Sequence, residues 1–167
     1  RYQALLPVAD PGFNYSPLHK VGYTPIYQSA RLSSALGLKQ LWFKDESGNP
    51  SASFKDRASA VALARAKEIG AEVIVAASTG NAGAATACLA AAMNMPAIIL
   101  APRNAPPAKI AQLLIFGARV ILVDGSYDDA FDLSIAATQA FGWYNRNTGY
   151  NPFTTEGKKT AAFEIWE

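Results

Sequence analysis

The sequence predicts an α/β fold: an open parallel sheet with helices on both faces, preceded by an irregular N-terminal arm. Three observations carry this. From Lys55 onward, short apolar runs alternate with longer segments of helical periodicity. The short runs, such as Val73-Ile74-Val75-Ala76-Ala77 and Val120-Ile121-Leu122-Val123, are rich in β-branched residues and lack polar alternation, as strands buried on both faces of a parallel sheet do. Glycine closes the helical segments at Gly70 and Gly117, where a left-handed residue ends a helix without steric cost. Right-handed crossovers would join such strands.

The arm comes first. Residues 1–28 contain Pro7, Pro11, Pro17 and Pro25 and no sustained period. Arg31 to Gly37 reads as a short helix stopped by glycine, and Gln40 to Lys44 as a strand. Lys55 to Gly70 carries Ala58, Val61, Ala62, Ala64 and Ile69 on an alanine-rich helical pattern. Val73 to Ala77 is the next strand, followed by a Gly/Ala-rich helix from Gly80 to Met93 and the strand Ala97 to Ala101. A helix from Pro107 to Gly117 begins with proline in a favoured position. The strand Val120 to Val123 and a helix from Tyr127 to Phe141 complete the alternation, and a last helical pattern runs from Glu156 toward Glu167. Open sheets of this kind bind ligands beyond the carboxyl ends of their strands, which directs attention to the turns Ser78-Thr79-Gly80-Asn81 and Asp124-Gly125-Ser126.

Composition narrows the function classes. With 167 residues, half of them hydrophobic and 17% charged, the chain is an ordinary globular sequence long enough for one core. Fifteen basic against 13 acidic side chains, a net charge of +2 and no basic tract argue against nucleic acid or an anionic membrane as partner. No apolar run approaches the roughly 20 residues of a membrane span, and no signal architecture is seen at the N-terminus, so a cytoplasmic location is expected. Cys88, the single cysteine, lies in a run of small residues and reads as core filler; His19, the single histidine, reads as a surface loop residue. An internal disulfide and a multi-ligand thiolate or imidazole metal site are thereby excluded, and no metal is expected. The chain begins at Arg1 and stops at Glu167 within a helical pattern, and both ends are expected to be cut.

Two segments carry chemistry. In Ser53-Phe54-Lys55-Asp56-Arg57, Ser53 is a candidate N-cap and Lys55 falls in the first helical turn. A cation is disfavoured there, which favours the neutral amine that forms a Schiff base with an aldehyde. A solvated lysine beside Asp56 is the competing reading. In Ala77-Ser78-Thr79-Gly80-Asn81-Ala82-Gly83, glycines permit close backbone approach, and free N–H groups at a helix start can hold an anion such as a carboxylate. An ordinary loop in which Ser78 or Thr79 caps the helix is the alternative. Neither a dinucleotide fingerprint nor a Walker loop can be read.

Taken together, Pro50-Ser51-Ala52-Ser53-Phe54-Lys55-Asp56-Arg57 resembles the cofactor-lysine motif of the fold type II pyridoxal-phosphate (PLP) enzymes, and Ser78-Thr79-Gly80-Asn81 resembles their substrate-carboxylate loop. Thr24-Pro25-Ile26 and Lys44-Asp45-Glu46 match in order and spacing. Asn151-Pro152 and Glu156-Gly157-Lys158-Lys159-Thr160 point to the threonine synthase branch. The resemblance implies pyridoxal 5'-phosphate as cofactor, Lys55 as its Schiff-base lysine and proton shuttle, and Asn81 as hydrogen-bond partner of the cofactor ring hydroxyl. Ser78, Thr79 and Gly80 would hold the substrate carboxylate. It further implies a carbon–oxygen lyase that converts O-phosphohomoserine and water to threonine and phosphate, in a homodimeric parent. Residues 1–50 would then be an arm with part of a large domain, 51–144 the small α/β domain, and 145–167 a segment returning to the large domain.

The sequence departs from that pattern in two places. Lys20-Val21-Gly22-Tyr23 stands where relatives have Gly-Glu-Gly, and Phe153-Thr154-Thr155 follows Asn151-Pro152 where many threonine synthases place a phosphate-binding arginine. Lys158 or Lys159 is a candidate replacement cation, with a solvated helix position as the other reading. Threonine dehydratase or cysteate synthase chemistry, a catalytically silent α/β fragment, and a nucleotide-binding module are the alternatives.

Overall fold

Four parallel strands form the main sheet of the computed structural model, which describes residues 2–12 and 16–167. The arm contains β1 (Ile26–Gln28), α1 (Ala30–Ala35) and β2 (Trp42–Lys44). Then follow α2 (Lys55–Glu68), β3 (Ile74–Ala77), α3 (Asn81–Ala92), β4 (Ala97–Pro102), α4 (Pro107–Ile115), β5 (Arg119–Val123), α5 (Tyr127–Phe141), β6 (Tyr144–Asn145) and α6 (Phe153–Trp166). The sheet order is β5-β4-β3-β6. The chain steps outward from β3 to β5, then returns to add β6 on the other side of β3.

The core divides by the two-residue period of the strands. Ile74, Ala76 and Ile99 face one side with Leu63, Ala87 and Leu113, contributed by α2, α3 and α4. Val75, Ala77, Ile98 and Leu100 face the other, against Ala130 of α5. The predicted parallel sheet with helices on both faces is met. Because the crossover helices change face between β3 and β6, the carboxyl ends of those two strands flank the topological switch point, where open α/β sheets form a ligand crevice.

Several elements differ from the sequence reading. β1 was hidden in the irregular arm: it pairs antiparallel with β2, Tyr27 opposite Phe43, in a separate ribbon whose residues are largely exposed. β6 has two residues only, too short for any periodicity to register. α6 starts at Phe153 rather than Glu156, following the Asn151 side chain that accepts from the Phe153 N–H. Cys88 is half-buried on α3, not a core filler. His19 is exposed, in keeping with its reading as a surface residue; it lies in a 3-10 turn, Pro17–Lys20, and contacts Asp10 at 3.0 Å.

α6 packs across α2 at Gly157. A Cβ there would fall within the radius of the Arg57 carbonyl and 2.9 Å from the Ala58 Cα, so the glycine permits the two helices to touch along their backbones. Arg57, 1% exposed, ties the arm to both helices. It donates to Glu46 from Nε at 2.8 Å, to Glu164 from Nη1 at 2.7 Å, and to Thr24 from Nη2 at 3.0 Å. Lys44 adds a second cation on Glu164 at 2.7 Å. Burial pushes the Glu164 carboxyl up, but the bonds from Arg57 and Lys44 outweigh it and hold that group down at about 2. Burial also works against the Arg57 charge, and the two carboxylates reverse the balance, so its guanidinium is bound more firmly to its proton than usual.

Candidate functional site

Lys55 is the first residue of α2, and its N–H donates to Ser53 Oγ at 3.1 Å. Ser53 thus caps the first turn as expected, although Phe54 is already helical in its backbone angles. The Lys55 ammonium lies 5.3 Å from the centroid of the Phe54 ring. Among the described residues its Nζ has no hydrogen bond or ion pair. Asp56, the carboxylate next in sequence, does not serve it: Asp56 is fully buried and accepts from the Ser51 N–H and hydroxyl at 2.8 and 2.7 Å. The carboxylate beside Lys55 in sequence is thus turned to Ser51. Burial raises the Asp56 carboxyl above its ordinary range despite those two bonds.

Ser78, Thr79 and Gly80 connect β3 to α3, and Asn81 opens α3. Ser78 is buried, and its hydroxyl oxygen accepts the N–H groups of Gly80 and Gly83 at 3.2 and 2.9 Å. Capping and loop geometry are thus served by one side chain. Gly83 is obligatory here, since a Cβ would lie 2.8 Å from the Ser78 carbonyl oxygen. Helix geometry leaves other first-turn N–H groups of α3 without carbonyl partners. Thr79 and Gly80 are half-buried and Asn81 is exposed.

The structure puts Lys55 and Asn81 at the same edge of the sheet. α2 and α3 both run from the carboxyl edge toward the amino edge, and Ser59 of α2 meets Thr86 of α3 at 3.4 Å. Those residues lie four and five positions in from Lys55 and Asn81, or about 6 and 7.5 Å along each axis, so the two helix starts are nearly level. The turn 124–126, by contrast, is closed on itself: Ser126 and Asp129 form a reciprocal capping box, with Asp129 accepting from the Ser126 N–H at 2.7 Å.

Sequence reasoning missed Arg146, the residue immediately after β6. It is 1% exposed, and its Nε donates to Ser59 Oγ at 3.1 Å, one turn along α2 from Lys55. A lone cation shortly after the aromatic pair Trp143-Tyr144 was the available signal, masked by its asparagine neighbours. Of the two candidate lysines, Lys159 is paired with Glu156, whereas Lys158 reaches Thr148 Oγ1 at 3.4 Å, beside Arg146. Away from this edge, a cleft of about 330 Å³ lies between the arm and the outer face of α2, lined by Val8, Leu18, His19, Ala60 and Ala64 among others. None of the candidate residues lines it. No cluster of metal-ligating side chains and no helix long and apolar enough to cross a membrane occurs among the described residues.

Comparison with known proteins places this geometry in context. The chain is 42% identical over 166 residues to threonine synthase of Methanocaldococcus jannaschii, covering 99% of the chain and 40% of that protein. It is 40% identical to threonine synthase of a Bacillus species, covering 99% and 46%, and 37% identical to that of Methanosarcina acetivorans, covering 99% and 40%. The chain thus spans less than half the length of these relatives. Among solved structures it is similar to O-ureido-L-serine synthase, with a TM-score of 0.81 at 25% identity over 93% of this chain and 50% of that one. It is also similar to maize serine racemase, with a TM-score of 0.76 at 28% identity over 85% and 43%. Residues 18–167 match the family described as pyridoxal-phosphate dependent enzyme, and the chain belongs to that family.

Proposed function

We propose that the chain is part of a threonine synthase that converts O-phosphohomoserine and water to threonine and phosphate, with Lys55 as the lysine that carries the cofactor. The observation that carries this reading is the Lys55 amine, without an ion-pair or hydrogen-bond partner among the described residues, at the carboxyl edge of a chain 35–42% identical to threonine synthases. The residues fit pyridoxal phosphate. An amine free of carboxylates suits covalent attachment to an aldehyde, and the exposed Asn81 amide at the neighbouring helix start suits a hydrogen bond to a ring hydroxyl.

The cofactor, when bound, supplies an electron sink for charge developing at the substrate carbon. The chain supplies orientation and proton transfer. The first turn of α3, with Ser78, Thr79 and Gly80, binds the substrate carboxylate through backbone N–H groups. Because the Ser78 oxygen already accepts two backbone N–H groups, its one O–H proton remains as the donor it offers. Lys55 Nζ takes and returns protons at the substrate α- and β-carbons, a general acid–base role for an amine positioned within reach of both.

We also assign residues 51–144 as the smaller α/β domain of the whole protein, with 1–50 and 145–167 packing against a further domain. Tyr27, Trp42 and Trp166, exposed by 53%, 54% and 90%, support this, since they lie in those two segments.

The test offers O-phosphohomoserine, threonine and phosphoserine to the complete protein loaded with pyridoxal phosphate, and measures phosphate and oxoacid release. Phosphate with threonine formed from the first compound alone supports the reading. Oxoacid from threonine instead assigns a dehydratase and overturns it.

A further inference from the structure

Asp56 is fully buried and directly follows the lysine assigned to the cofactor. The charge of Arg57, next along α2, is met by two carboxylates, but among the described residues Asp56 has no ion pair. It meets only neutral donors, the Ser51 hydroxyl and N–H at 2.7 and 2.8 Å. A buried charge without a counter-charge is costly, and burial raises the Asp56 carboxyl more than the bonds from Ser51 and Ser53 lower it. The first turn of α2 favours an anion, yet helix capping does not account for the cost. Ser53 already caps α2 by accepting the Lys55 N–H at 3.1 Å, and a neutral side chain serves a cap as well as a carboxylate. The Asp56 side chain reaches past that cap to the residue two positions before it.

The stretch that Asp56 spans is strained. Ala52, between Ser51 and Ser53, has a φ of +54°, in the left-handed region that residues other than glycine and asparagine seldom enter. It is exposed, so burial of its methyl group does not hold it there. Such a conformation persists only where its surroundings over-determine it. Two closures do so here. The Ala52 N–H donates to the Asn49 carbonyl at 2.8 Å, and Asp56 reaches back across Ala52 to Ser51. The carboxylate thereby closes a ring whose backbone runs through Ala52, Ser53, Phe54 and Lys55. Helix ends fray, and α2 begins at Lys55, so this ring bounds the turn that is most in need of support.

We propose that Asp56 and Ser51 are positioning residues for Lys55: their paired bonds latch the strained turn against the start of α2 and hold the backbone from which the amine reaches the cofactor. This inference rests on the reading above that Lys55 carries the cofactor. The lysine side chain is long and makes no hydrogen bond or ion pair of its own among the described residues, so the place of its amine depends on where its backbone is anchored. A displacement of about 1 Å at a reacting group can cost on the order of a hundredfold in rate. Arg57 anchors the helix beyond Lys55, and the Asp56–Ser51 pair anchors the turn before it. Glu46, bonded to both Arg57 and Asn49 at 2.8 Å, joins the two anchors.

The test uses the complete protein and compares Asp56→Ala, Asp56→Asn and Ser51→Ala with the parent, the fold of each checked by circular dichroism. Pyridoxal phosphate is added to the cofactor-free form and the growth of the visible band is timed, while hydrogen exchange at the Lys55 N–H is followed without cofactor. We expect Asp56→Ala to form the band at least about tenfold more slowly, as a misplaced amine would, and exchange at the Lys55 N–H to quicken. Ser51→Ala keeps the bond from the Ser51 N–H, and Asp56→Asn keeps one acceptor oxygen, so each should fall between. Gly142→Ala, strained at the amino edge of the sheet, is the control that lowers thermal stability without slowing the band. Lowered thermal midpoints in the folded Asp56 and Ser51 variants, with band formation and Lys55 exchange at the parent's values, overturn the proposal, because the latch would then serve stability alone. Should Asp56→Ala not fold, Ser51→Ala at the half-buried Ser51 carries the test. A band that survives Lys55→Ala overturns the reading of Lys55 and this proposal with it; a band that Lys55→Ala removes but the latch variants form at the parent's rate overturns this proposal alone.

Discussion

The backbone N–H of Ala77 donates to the side-chain oxygen of Asn147 at 2.7 Å, so a side chain continues the ladder that β6 ends after two residues. The Asn147 amide nitrogen in turn donates to Ser134 Oγ at 2.7 Å, fastening the segment to α5. Ala77 precedes Ser78 and Asn147 follows Arg146, which makes this bond the direct link between the two loops at the switch point.

Asn147→Ala should leave the Ala77 N–H buried and unpaired, costing about 1–3 kcal/mol. The drop is read as a shift in the urea unfolding midpoint without a change in slope. Asn147→Asp keeps the oxygen and loses the donor to Ser134, and should fall between the two. Equal midpoints for Asn147→Ala and the unaltered protein would contradict the assignment.

Lys55→Ala should abolish the visible absorption band that appears when pyridoxal phosphate is added to the complete protein. Its thermal midpoint without cofactor should stay close to that of the parent, because among the described residues the Lys55 side chain makes no hydrogen bond or ion pair. Identical spectra for the two proteins would remove Lys55 from its proposed role.

Gly157→Ala should destabilise the fold by about 1–3 kcal/mol or more, as overpacking forces α6 away from α2. The same change at Gly142, where no heavy atom stands near a Cβ, meets no such wall and should cost only the strain of its φ of +70°. Thermal unfolding of the pair separates steric contact from backbone conformation.

Acid stability should depend on Glu164. Its carboxyl is held at about 2 in the fold against an ordinary 4.5. The unfolded chain therefore binds a proton more readily than the folded one over that interval. The stabilisation is fully present above about pH 4.5 and disappears as pH falls toward 2. Asp56, whose carboxyl is raised, works in the opposite sense. Comparison of Glu164→Gln with the parent removes the Asp56 contribution: the stability gap between them should narrow steadily across that range, and a gap independent of pH would refute the assignment.

Where local chemistry was self-contained, the sequence was readable. α5 runs from Tyr127 to Phe141 as expected, because Ser126 and Asp129 cap its start and Gly142 takes the left-handed conformation at its end. β3 and β4 were legible from their continuous apolar runs. β6 and Arg146 were not, since asparagine side chains replace backbone pairing there and leave a polar run that reads as loop. The matches at Thr24 and Glu46 had a physical basis that no spacing could disclose: both side chains are partners of Arg57.

That Arg57 lies two positions beyond Lys55 gives the arginine a mechanical meaning. Successive positions so spaced point away from each other around a helix, so the amine lies on the opposite side of the turn from the guanidinium, which is gripped by Glu46 and by Glu164, 107 residues further along the chain. The first turn of α2 behaves as a shaft held in a two-sided bearing. Its angle is set by carboxylates distant in sequence, and a force applied at the amine is resisted from the other side of the turn.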